Sequence, residues 1–421
     1  MFLIFSLKKV PFLAESLTDD LITVMAKNIE HIRITMAYDQ LDVEDMERLL
    51  GSRHLQLSRK KAMTFLSIWA VASGRLPLTR SNLISLERLA NTPTSFRVPT
   101  TVVLAAGGWS HVSSLISLVL SLSYNTSVQE PTNLVEVWNP LTEQWMASDV
   151  KLPGCSRAYH GLEVLGSDIW AIGGYSQSGG FQRSTMKFSL STGEWREMSR
   201  MSINRCYVST NVLAGKIYAL GGHAGGSAER LRSAEVYSPE TNQWADISPM
   251  LYNRSDFASV VYRGKIFAIG GFHGFHYQSS FEVYDPESDS WTFEGNLQIA
   301  RSGASAVVAG DKIFILGGFD GGERLASVEC ITPGLVNTVR HEVPPMLHRR
   351  SNFSALLLDP DTIMVVGGFR KDPEDLDGGE VSGEVELLDL TRNVWTVAPN
   401  LTVPRSALQA IKVENMYRSF V

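Results

Sequence analysis

Residues 265–291, KIFAIGGFHGFHYQSSFEVYDPESDSW, hold most of one copy of the pattern that decides the fold. A short apolar run ends in a glycine doublet at Gly270 and Gly271, and a second apolar run ends at Tyr284. Trp291 follows seven residues later, after the turn-forming segment 285–288. Short runs rich in β-branched and aromatic residues are typical of buried strands. The stretch therefore predicts three successive strands.

The pattern recurs across residues 99–413, with doublets spaced by 66, 48, 49, 47 and 50 residues. The fifth copy has Thr338 at the tryptophan position, and an arginine opens a further strand after each copy. Each period thus predicts four antiparallel strands, named A to D. The repeated positions are Gly107, Gly108, Gly173, Gly174, Gly221, Gly222, Gly270, Gly271, Gly317, Gly318, Gly367 and Gly368; Trp145, Trp195, Trp244, Trp291 and Trp395; and Arg157, Arg205, Arg254, Arg301, Arg350 and Arg405.

Six such units predict a mainly β fold, a six-bladed β-propeller. Glycines let neighbouring backbones crowd near the central channel, and the aromatic side chains of strands C and D fill the wedge between blades. The first doublet has no strand A before it, whereas residues 405–413 resemble a strand A without a blade. We therefore expect the segment 405–413 to complete the first blade, which removes open sheet edges.

The N-terminal part of the chain has a different period. Ala62, Phe65, Leu66, Trp69 and Ala70 form one apolar helix face, so residues 13–90 predict a small all-α domain. Residues 1–12 and 414–421 are expected to be tails, and 91–98 a linker.

Composition narrows the class of protein. A net charge of −6 argues against nucleic-acid binding, and three cysteines give no disulfide framework. The apolar runs are too short or too interrupted for a membrane span. We expect a cytoplasmic protein.

The repeats GGHAGGSAERLRSAEVYSPETNQW and GGFHGFHYQSSFEVYDPESDSW resemble those of the kelch-like family of substrate receptors for cullin-3 ubiquitin ligases. The wording of RSDFAS and GGFDGGERLASVE is most similar to the branch that includes kelch-like protein 10. The segment DVEDMERLLGSRHLQLSRKKAMTFLSIWA resembles the family's BACK domain, with a departure at Lys60 and Lys61. The resemblance implies a six-bladed kelch propeller after a BACK-like domain, and a non-catalytic adaptor that binds a protein substrate.

One departure from the family lies upstream of the helices. The family carries a BTB domain there for dimerisation and cullin docking, whereas only residues 1–12 precede the BACK-like segment in this sequence. An incomplete gene model and a real loss both remain open. Cullin-3 is accordingly expected as a partner only if a BTB domain is supplied.

The resemblance implies a partner face formed by the D–A and B–C loops. The expected binding residues follow the arginines or the doublets; each could equally be ordinary loop surface. They are Trp109, Tyr159, Tyr175, Tyr207, His223, Asp256, His273, Asp320, Arg324, Asn352 and Arg370. The B–C loops of the first and sixth units are oversized. Either they form a partner-selecting wall, partly acidic, or they are mobile loops.

Three functions remain open. The first is a ligase substrate receptor, and the second is a kelch scaffold, for example a cytoskeletal one, without ligase docking. The third is a propeller oxidase, which is considered because kelch propellers include copper oxidases. It is the least favoured of the three. His273 and His276 share one loop, while His160 and His223 lie elsewhere, so no converging ligand set is evident. We expect neither metal nor cofactor.

Overall fold

The structure is a computed structural model that describes residues 101–111, 129–140, 142–153, 156–226, 230–334, 338–371 and 379–414. The segments 1–12, 13–90 and 91–98, most of the two oversized loops and residues 415–421 lie outside these ranges. Every named element of the described residues is a β-strand, and no helix among them is long and apolar enough to cross a membrane.

The chain divides into two compact units, Met1–Thr101 with Asn139–Gln144, and Val102–Trp138 with Trp145–Val421. The sheets belong almost wholly to the second unit. The first repeat contributes β1 (Thr101–Ala106), β2 (Trp109–His111), β3 (Gln129–Pro131), β4 (Val135–Asn139) and β5 (Gln144–Ala147). The second contributes β6 (Gly161–Leu165), β7 (Asp168–Ile172), β8 (Tyr175–Ser176), β9 (Gly180–Phe181), β10 (Thr185–Ser189) and β11 (Glu194–Met198).

The third and fourth repeats contain four strands each. These are β12 (Ser209–Leu213), β13 (Lys216–Leu220), β14 (Ala234–Ser238) and β15 (Gln243–Ile247), then β16 (Ala258–Tyr262), β17 (Lys265–Ile269), β18 (Ser280–Asp285) and β19 (Ser290–Asn296). The fifth has β20 (Ser305–Ala309), β21 (Lys312–Leu316), β22 (Val328–Thr332) and β23 (Val339–His341). The sixth has β24 (Arg350–Ser351), β25 (Ser354–Asp359), β26 (Thr362–Val366), β27 (Phe369–Arg370), β28 (Glu380–Val381), β29 (Val385–Asp389) and β30 (Val394–Ala398), and β31 (Gln409–Glu414) ends the chain's strands.

Of these strands, 24 form six four-stranded sheets, numbered here after their repeats, and the other seven form three small sheets, β2-β3, β8-β9 and β24-β27-β28. The last strand joins the first sheet, in the order β31-β1-β4-β5. The innermost strands lie side by side in the order β6, β12, β16, β20, β25 and β31, and β31 lies next to β6 again. The first strands therefore form a closed ring, the arrangement of a β-propeller.

Apolar side chains fill the space between neighbouring sheets. One cluster packs Tyr218 and Ala234 of the third sheet against Ile266, Tyr284 and Trp291 of the fourth. Tyr284 lies directly opposite Trp291 in the sheet register, and the Trp291 Nε1 donates to the Ser248 carbonyl at 2.8 Å. Equivalent clusters join the other five pairs of neighbours, so the apolar core is divided among the intervals between sheets.

The fifth sheet corrects one expectation from the sequence. The position opposite Ile331, where the other sheets have tryptophan, is occupied by Arg340 and not by Thr338. The connection between strands C and D is two residues longer here than in the other sheets, so strand D begins two residues later in the sequence. Arg340 donates to the Asn296 carbonyl at 2.5 Å, as Trp291 does to Ser248, and to Glu329 at 2.8 Å. A guanidinium thus replaces the indole as the hydrogen-bond donor to the preceding sheet.

Five of the repeated arginines are fully buried and each pairs with a glutamate of strand C. Burial alone lowers an arginine pKa, and the paired carboxylate opposes that shift in Arg205, Arg254, Arg301 and Arg405. The pairs are Arg205–Glu235 at 3.0 Å, Arg254–Glu282 at 2.7 Å, Arg301–Glu329 at 3.0 Å, Arg350–Glu386 at 2.5 Å and Arg405–Glu136 at 2.9 Å. In the second sheet, Met186 takes the glutamate position, and Arg157 donates to the Gly173 carbonyl and the Ser184 hydroxyl.

The arginines also contact the glycine doublets of two sheets. Arg205 donates to the Gly221 carbonyl of its own sheet at 2.8 Å, and its carbonyl accepts from the Gly174 amide of the preceding sheet at 2.8 Å. A Cβ on Gly173, which has a φ of 59°, would lie only 2.4 Å from that carbonyl. The doublet is therefore glycine because the arginine backbone approaches so closely.

Arg405 makes the same connection between the two ends of the repeat array. Its guanidinium donates to the Leu134 carbonyl at 3.0 Å and to Glu136, both in the first repeat. Its carbonyl accepts from the Gly368 amide of the sixth sheet at 2.8 Å. The pair between Arg405 and Glu136 therefore helps to hold the ring closed.

Replacing Glu136 with Gln should destabilise the protein strongly, because it leaves the buried charge of Arg405 without its carboxylate. We expect the free energy of unfolding, measured by urea denaturation, to fall by about 3 kcal/mol or more. Glu197→Gln is the matched control, since Glu197 pairs with Arg200 at 2.6 Å in an exposed position. That variant should change the free energy by less than about 1 kcal/mol. Equal effects of the two substitutions would contradict this role for the buried pair.

A second buried group should make the fold sensitive to acid. His160 is fully buried and neither ring nitrogen has a hydrogen-bond partner among the described residues. Burial, and then the nearby Arg157, lower its pKa from 6.5 to about 3. Below pH 6.5 the His160 imidazole is therefore protonated in the unfolded chain but stays neutral in the folded chain. The folded state consequently loses stability as pH falls from 6.5 towards 3.

His160→Phe should remove this acid sensitivity, because phenylalanine does not titrate. Phenylalanine fits the site, since Phe257 and Phe353 occupy the equivalent position in the fourth and sixth repeats. Between pH 7 and pH 5 the variant should lose about 2 kcal/mol less unfolding free energy than the wild type. Chemical denaturation at both pH values measures this difference. His276→Phe, at an exposed position, is the control and should retain the wild-type pH dependence. Parallel pH profiles for wild type and His160→Phe would refute the assignment.

Candidate functional site

A ring of six residues surrounds one mouth of the central channel. Each lies two residues after a repeated arginine, and each has a φ between 54° and 59°. The amide of each donates to the carbonyl of the one before it over 2.7–3.2 Å, and the first donates to the last. The ring residues are Tyr159, Tyr207, Asp256, Gly303, Asn352 and Ala407.

The left-handed backbone in this ring fixes where the side chains project. Residues other than glycine adopt this conformation at a cost, which the closed series of six hydrogen bonds offsets. The ring residues line a channel of about 420 Å³ together with residues of the six innermost strands. Four sequence-predicted binding residues, Tyr159, Tyr207, Asp256 and Asn352, are thereby brought to one mouth of the channel.

Two tyrosines and one carboxyl give this mouth its chemistry. The rings of Tyr159 and Tyr207 lie 3.9 Å apart, centroid to centroid. Burial raises the pKa of Tyr159 far above its usual value and that of Tyr207 to about 12, so both keep their protons at neutral pH. Burial raises the pKa of Asp256 to about 7, and the positive charge of Arg230 partly opposes that shift.

An outer tier of aromatic residues follows the glycine doublets. Trp109 stacks on Tyr175 at 5.8 Å, and Tyr175 meets the edge of Phe181, which in turn lies 5.1 Å from His223. These contacts cross from the first sheet to the third. Three more sequence-predicted residues, Trp109, Tyr175 and His223, thus lie on the same side as the ring, because each pairs with a residue next to a ring position.

In the other three sheets the equivalent positions are phenylalanines, which the sequence analysis did not select. Phe272 and Phe319 form bridges with Ser255 and Ser302, and Phe369 pairs with Ser351. These phenylalanines could have been identified from the sequence, because each directly follows its glycine doublet as Trp109 does. The residues selected instead, His273, Asp320 and Arg370, lie one position further along.

Those three residues are engaged within their own loops. The carboxylate of Asp320 accepts from the amides of Gly322 and Glu323 at 2.8 Å, and these bonds lower its pKa. His273 stacks on His276 at 4.7 Å. Arg370 pairs with Glu384 at 2.9 Å. Asp320 in particular acts as a turn residue.

Arg324 projects across the faces of two of the missed phenylalanines. Its guanidinium carbon lies 4.8 Å from the Phe319 ring and 4.5 Å from the Phe369 ring. Burial lowers its pKa, and the nearby Tyr277 and Tyr159 act in the opposite direction. Arg324, Tyr207, Asp256 and Asn352 together line one pocket beside the ring.

One cluster of possible metal ligands exists among the described residues, and arginines already neutralise it. The ligand atoms of His348, Glu384 and Glu386 lie within 4.8 Å of one another. Arg350 donates to Glu386 at 2.5 Å, and Arg370 pairs with Glu384. Two guanidinium charges take up the negative charge that would hold a cation. We therefore assign this cluster a structural role.

The oversized loops and the cysteines are the remaining features noted in the sequence. The stems of the two oversized loops are adjacent, since β2 lies next to β28. Cys206 and Cys330 are buried free thiols, and burial raises the pKa of Cys330 to about 11. Cys155 and the loop residues 112–128 and 372–378 lie outside the described part of the chain.

Comparison with known proteins agrees with this architecture. Residues 121–318 match the family described as KLHDC2/KLHL20/DRC7 Kelch-repeats domain, and residues 300–347 match the Kelch motif. A solved structure, "Structure of YjhT", superposes with a TM-score of 0.54 at 15% identity over 61% of this chain and 87% of that one, which shows the fold alone. Kelch repeats thus match residues 121–347 of this chain.

Curated relatives carry kelch names. Kelch repeat-containing protein kel-10 of Caenorhabditis elegans is 31% identical over 229 residues, and the match covers 51% of this chain and 36% of that protein. Kelch repeat and BTB domain-containing protein F47D12.7 of the same species is 30% identical with the same coverage. Mouse Kelch-like protein 23 is 34% identical over 98 residues, 23% of this chain and 17% of that protein. The chain thus spans about a third of the length of the first two relatives.

Proposed function

We propose that this chain is a substrate-recognition subunit of a cullin-3 ubiquitin ligase of the kelch-like family, in the cytoplasm. The six sheets would be the blades of one kelch propeller over residues 99–413, and residues 13–90 a BACK-like domain. The partner would be a protein segment bound on the ring face, which we define as the ring residues, the residues after the doublets and Arg324. From the sequences of the repeats, the proposed subfamily is the kelch-like protein 10 branch.

The observation that carries this proposal is the hydrogen-bonded ring. It holds the side chains of Tyr159, Tyr207, Asp256 and Asn352 at one channel mouth, beside Arg324 and the outer aromatic tier. Tyrosine, tryptophan and arginine are the residues that most often anchor protein partners. A rigid backbone beneath them reduces the entropy lost on binding.

The relatives support the ligase part of the proposal. One of them is named for both kelch repeats and a BTB domain, the module that docks cullin in the kelch-like family. The proposed role is binding and not catalysis. With their pKa values raised by burial, Tyr159 and Tyr207 stay protonated and are not activated nucleophiles.

Tyr159→Asn combined with Tyr207→Asn should abolish partner capture without unfolding the protein. Asn352 already occupies an equivalent ring position with a φ of 54°, so asparagine fits the backbone there. The measurement compares proteins co-purified from cells by wild type and variant, after thermal melts show that the variant is folded.

The control is Lys216→Ala with Asp311→Ala, two exposed residues at the A–B connections; Lys216 begins β13 and Asp311 directly precedes β21. This variant should capture the same proteins as the wild type. Loss of capture in the control but not in the tyrosine variant would place the binding surface on the wrong side.

Cullin docking requires a separate experiment. Joined to a BTB domain of the kelch-like family, the 421-residue chain should bind cullin-3 with micromolar or tighter affinity in calorimetry. The chain alone should show no measurable binding, because a partial interface is too small for stable association. If the joined protein does not bind cullin-3 while partner capture persists, the chain is an interaction scaffold and not a ligase receptor.

A further inference from the structure

The outer strand of the sixth sheet, β30, differs in composition from the other outer strands. Its sequence VWTVA contains no charged residue, and Val394 and Val397 are exposed over 50% and 64% of their surface. Four of the other outer strands, β11, β15, β19 and β23, contain charged residues. The fifth, β5, contains none but exposes no large apolar side chain. Charged side chains protect an exposed strand from pairing, so β30 is the outer strand without that protection.

The backbone of β30 carries unpaired polar groups along its outer side. It is the last strand of its sheet and pairs with β29 alone. The Leu401 amide donates to the Gly383 carbonyl, so Gly383 and every second residue after it in β29 face β30. Their partners in β30 include Thr396. The N–H and C=O groups of Trp395 and Val397 therefore point outward, where a further strand can pair with them.

These outward groups are self-complementary about Thr396. In an antiparallel pair of two β30 strands related by a two-fold axis at Thr396, Trp395 of one copy lies opposite Val397 of the other. Each such pair exchanges both of its backbone hydrogen bonds, so every outward N–H and C=O of the strand finds a partner. Pro399 follows the strand and has no N–H, which limits the pairing to β30.

The side chains are compatible in the same register. Val397 of one copy lies beside Trp395 of the other, and Thr396 meets Thr396; aromatic with β-branched pairs and threonine pairs both stabilise adjacent strands. In β11 the equivalent two-fold axis would place Arg196 opposite a second Arg196, which is unfavourable. Because the chain carries a net charge of −6, an uncharged edge is also the one at which two copies repel each other least.

We infer that β30 is a dimerisation strand, which pairs with β30 of a second copy of this chain and joins the two four-stranded sheets into one. The contact is separate from the ring face, because β30 carries none of the ring-face residues and lies at the outer end of its sheet. The paired edges are a small interface, so we expect a dissociation constant on the order of 10 µM.

Sedimentation equilibrium of the 421-residue chain measures this association directly. The weight-average mass should be near 46.5 kDa at the lowest concentrations and should rise towards twice that value above about 100 µM. A mass that stays at 46.5 kDa up to about 200 µM would overturn the inference, whether the edge is then free or covered by another segment.

Val397→Lys should weaken the dimer by at least about tenfold, because a charged side chain on the edge must lose water when the strands pair. Phe293→Lys is the matched control, since Phe293 is 50% exposed on the outer strand β19. It should leave the dissociation constant within about twofold of the wild-type value. With both variants shown to be folded by thermal melts, equal dissociation constants for the two would place the contact elsewhere and overturn the inference.

A disulfide tests the register. The two Thr396 residues form a non-hydrogen-bonded pair, in which the Cα atoms lie about 4.5 Å apart, a separation that a disulfide spans. Thr396→Cys should therefore give a covalent dimer under mild oxidation, seen by non-reducing electrophoresis. Val394→Cys is the control, because Val394 is exposed in the same strand but meets Ala398 of the other copy. It should remain uncross-linked, as should the wild type.

The outcome that contradicts this register is equally specific. Cross-linking of Val394→Cys as fast as Thr396→Cys would indicate random collision and not strand pairing. Failure of Thr396→Cys to cross-link at a concentration where the mass is that of a dimer would show that the copies meet at another surface. Either result would overturn the assignment of β30.

The dimer and the proposed function are tested independently. The variant with Tyr159→Asn and Tyr207→Asn should dimerise as the wild type does, and Val397→Lys should capture the same partners as the wild type. If the chain stays monomeric while the ring face captures partners, only the inference about β30 is wrong. If the dimer forms while the tyrosine variant retains every partner, only the proposed function is wrong.

Discussion

A buried arginine connects each sheet of this protein to the next, and the remaining architecture depends on that connection. The guanidinium binds the glycine doublet of its own sheet, and the arginine carbonyl accepts from the doublet of the preceding sheet. In five cases a strand-C glutamate neutralises the charge. A buried pair of this kind contributes little net stability over an apolar pair, but breaking it is costly. It thus imposes the same geometry on the five intervals in which it occurs.

That geometry positions the ring face. The residue two places after each arginine adopts a left-handed backbone, and its amide reaches the corresponding residue of the neighbouring sheet. Because the arginine and its glycines fix the chain so closely, the ring position tolerates very different side chains, from glycine and alanine to tyrosine and aspartate. The scaffold therefore specifies where a side chain projects, while the side chain itself is free to vary.

The sequence predicted most of the fold because its signals are local. The doublets, the strand-C aromatics and the tryptophans each mark a strand, and the unmatched segment after Trp395 indicated where the last strand pairs. The hydrogen-bonded ring could not be predicted from the sequence, because residue types such as those of Tyr159 and Asp256 do not indicate a positive φ. Counting seven residues from Ile331 placed the fifth D strand at Thr338, because turn length is not encoded in a strand pattern. Ala407, which completes the ring, was not among the binding residues expected from the sequence.

Amide hydrogen exchange at the six ring residues tests the central claim, that the arginine contacts close the sheets into one continuous ring. If the ring is closed, the amides of Ala407 and Tyr159, where the two ends of the repeat array meet, should exchange as slowly as those of Tyr207 and Gly303. Rapid exchange confined to Ala407 and Tyr159, with the other four amides protected, would show that the ring is open between its first and last strands and would contradict the account.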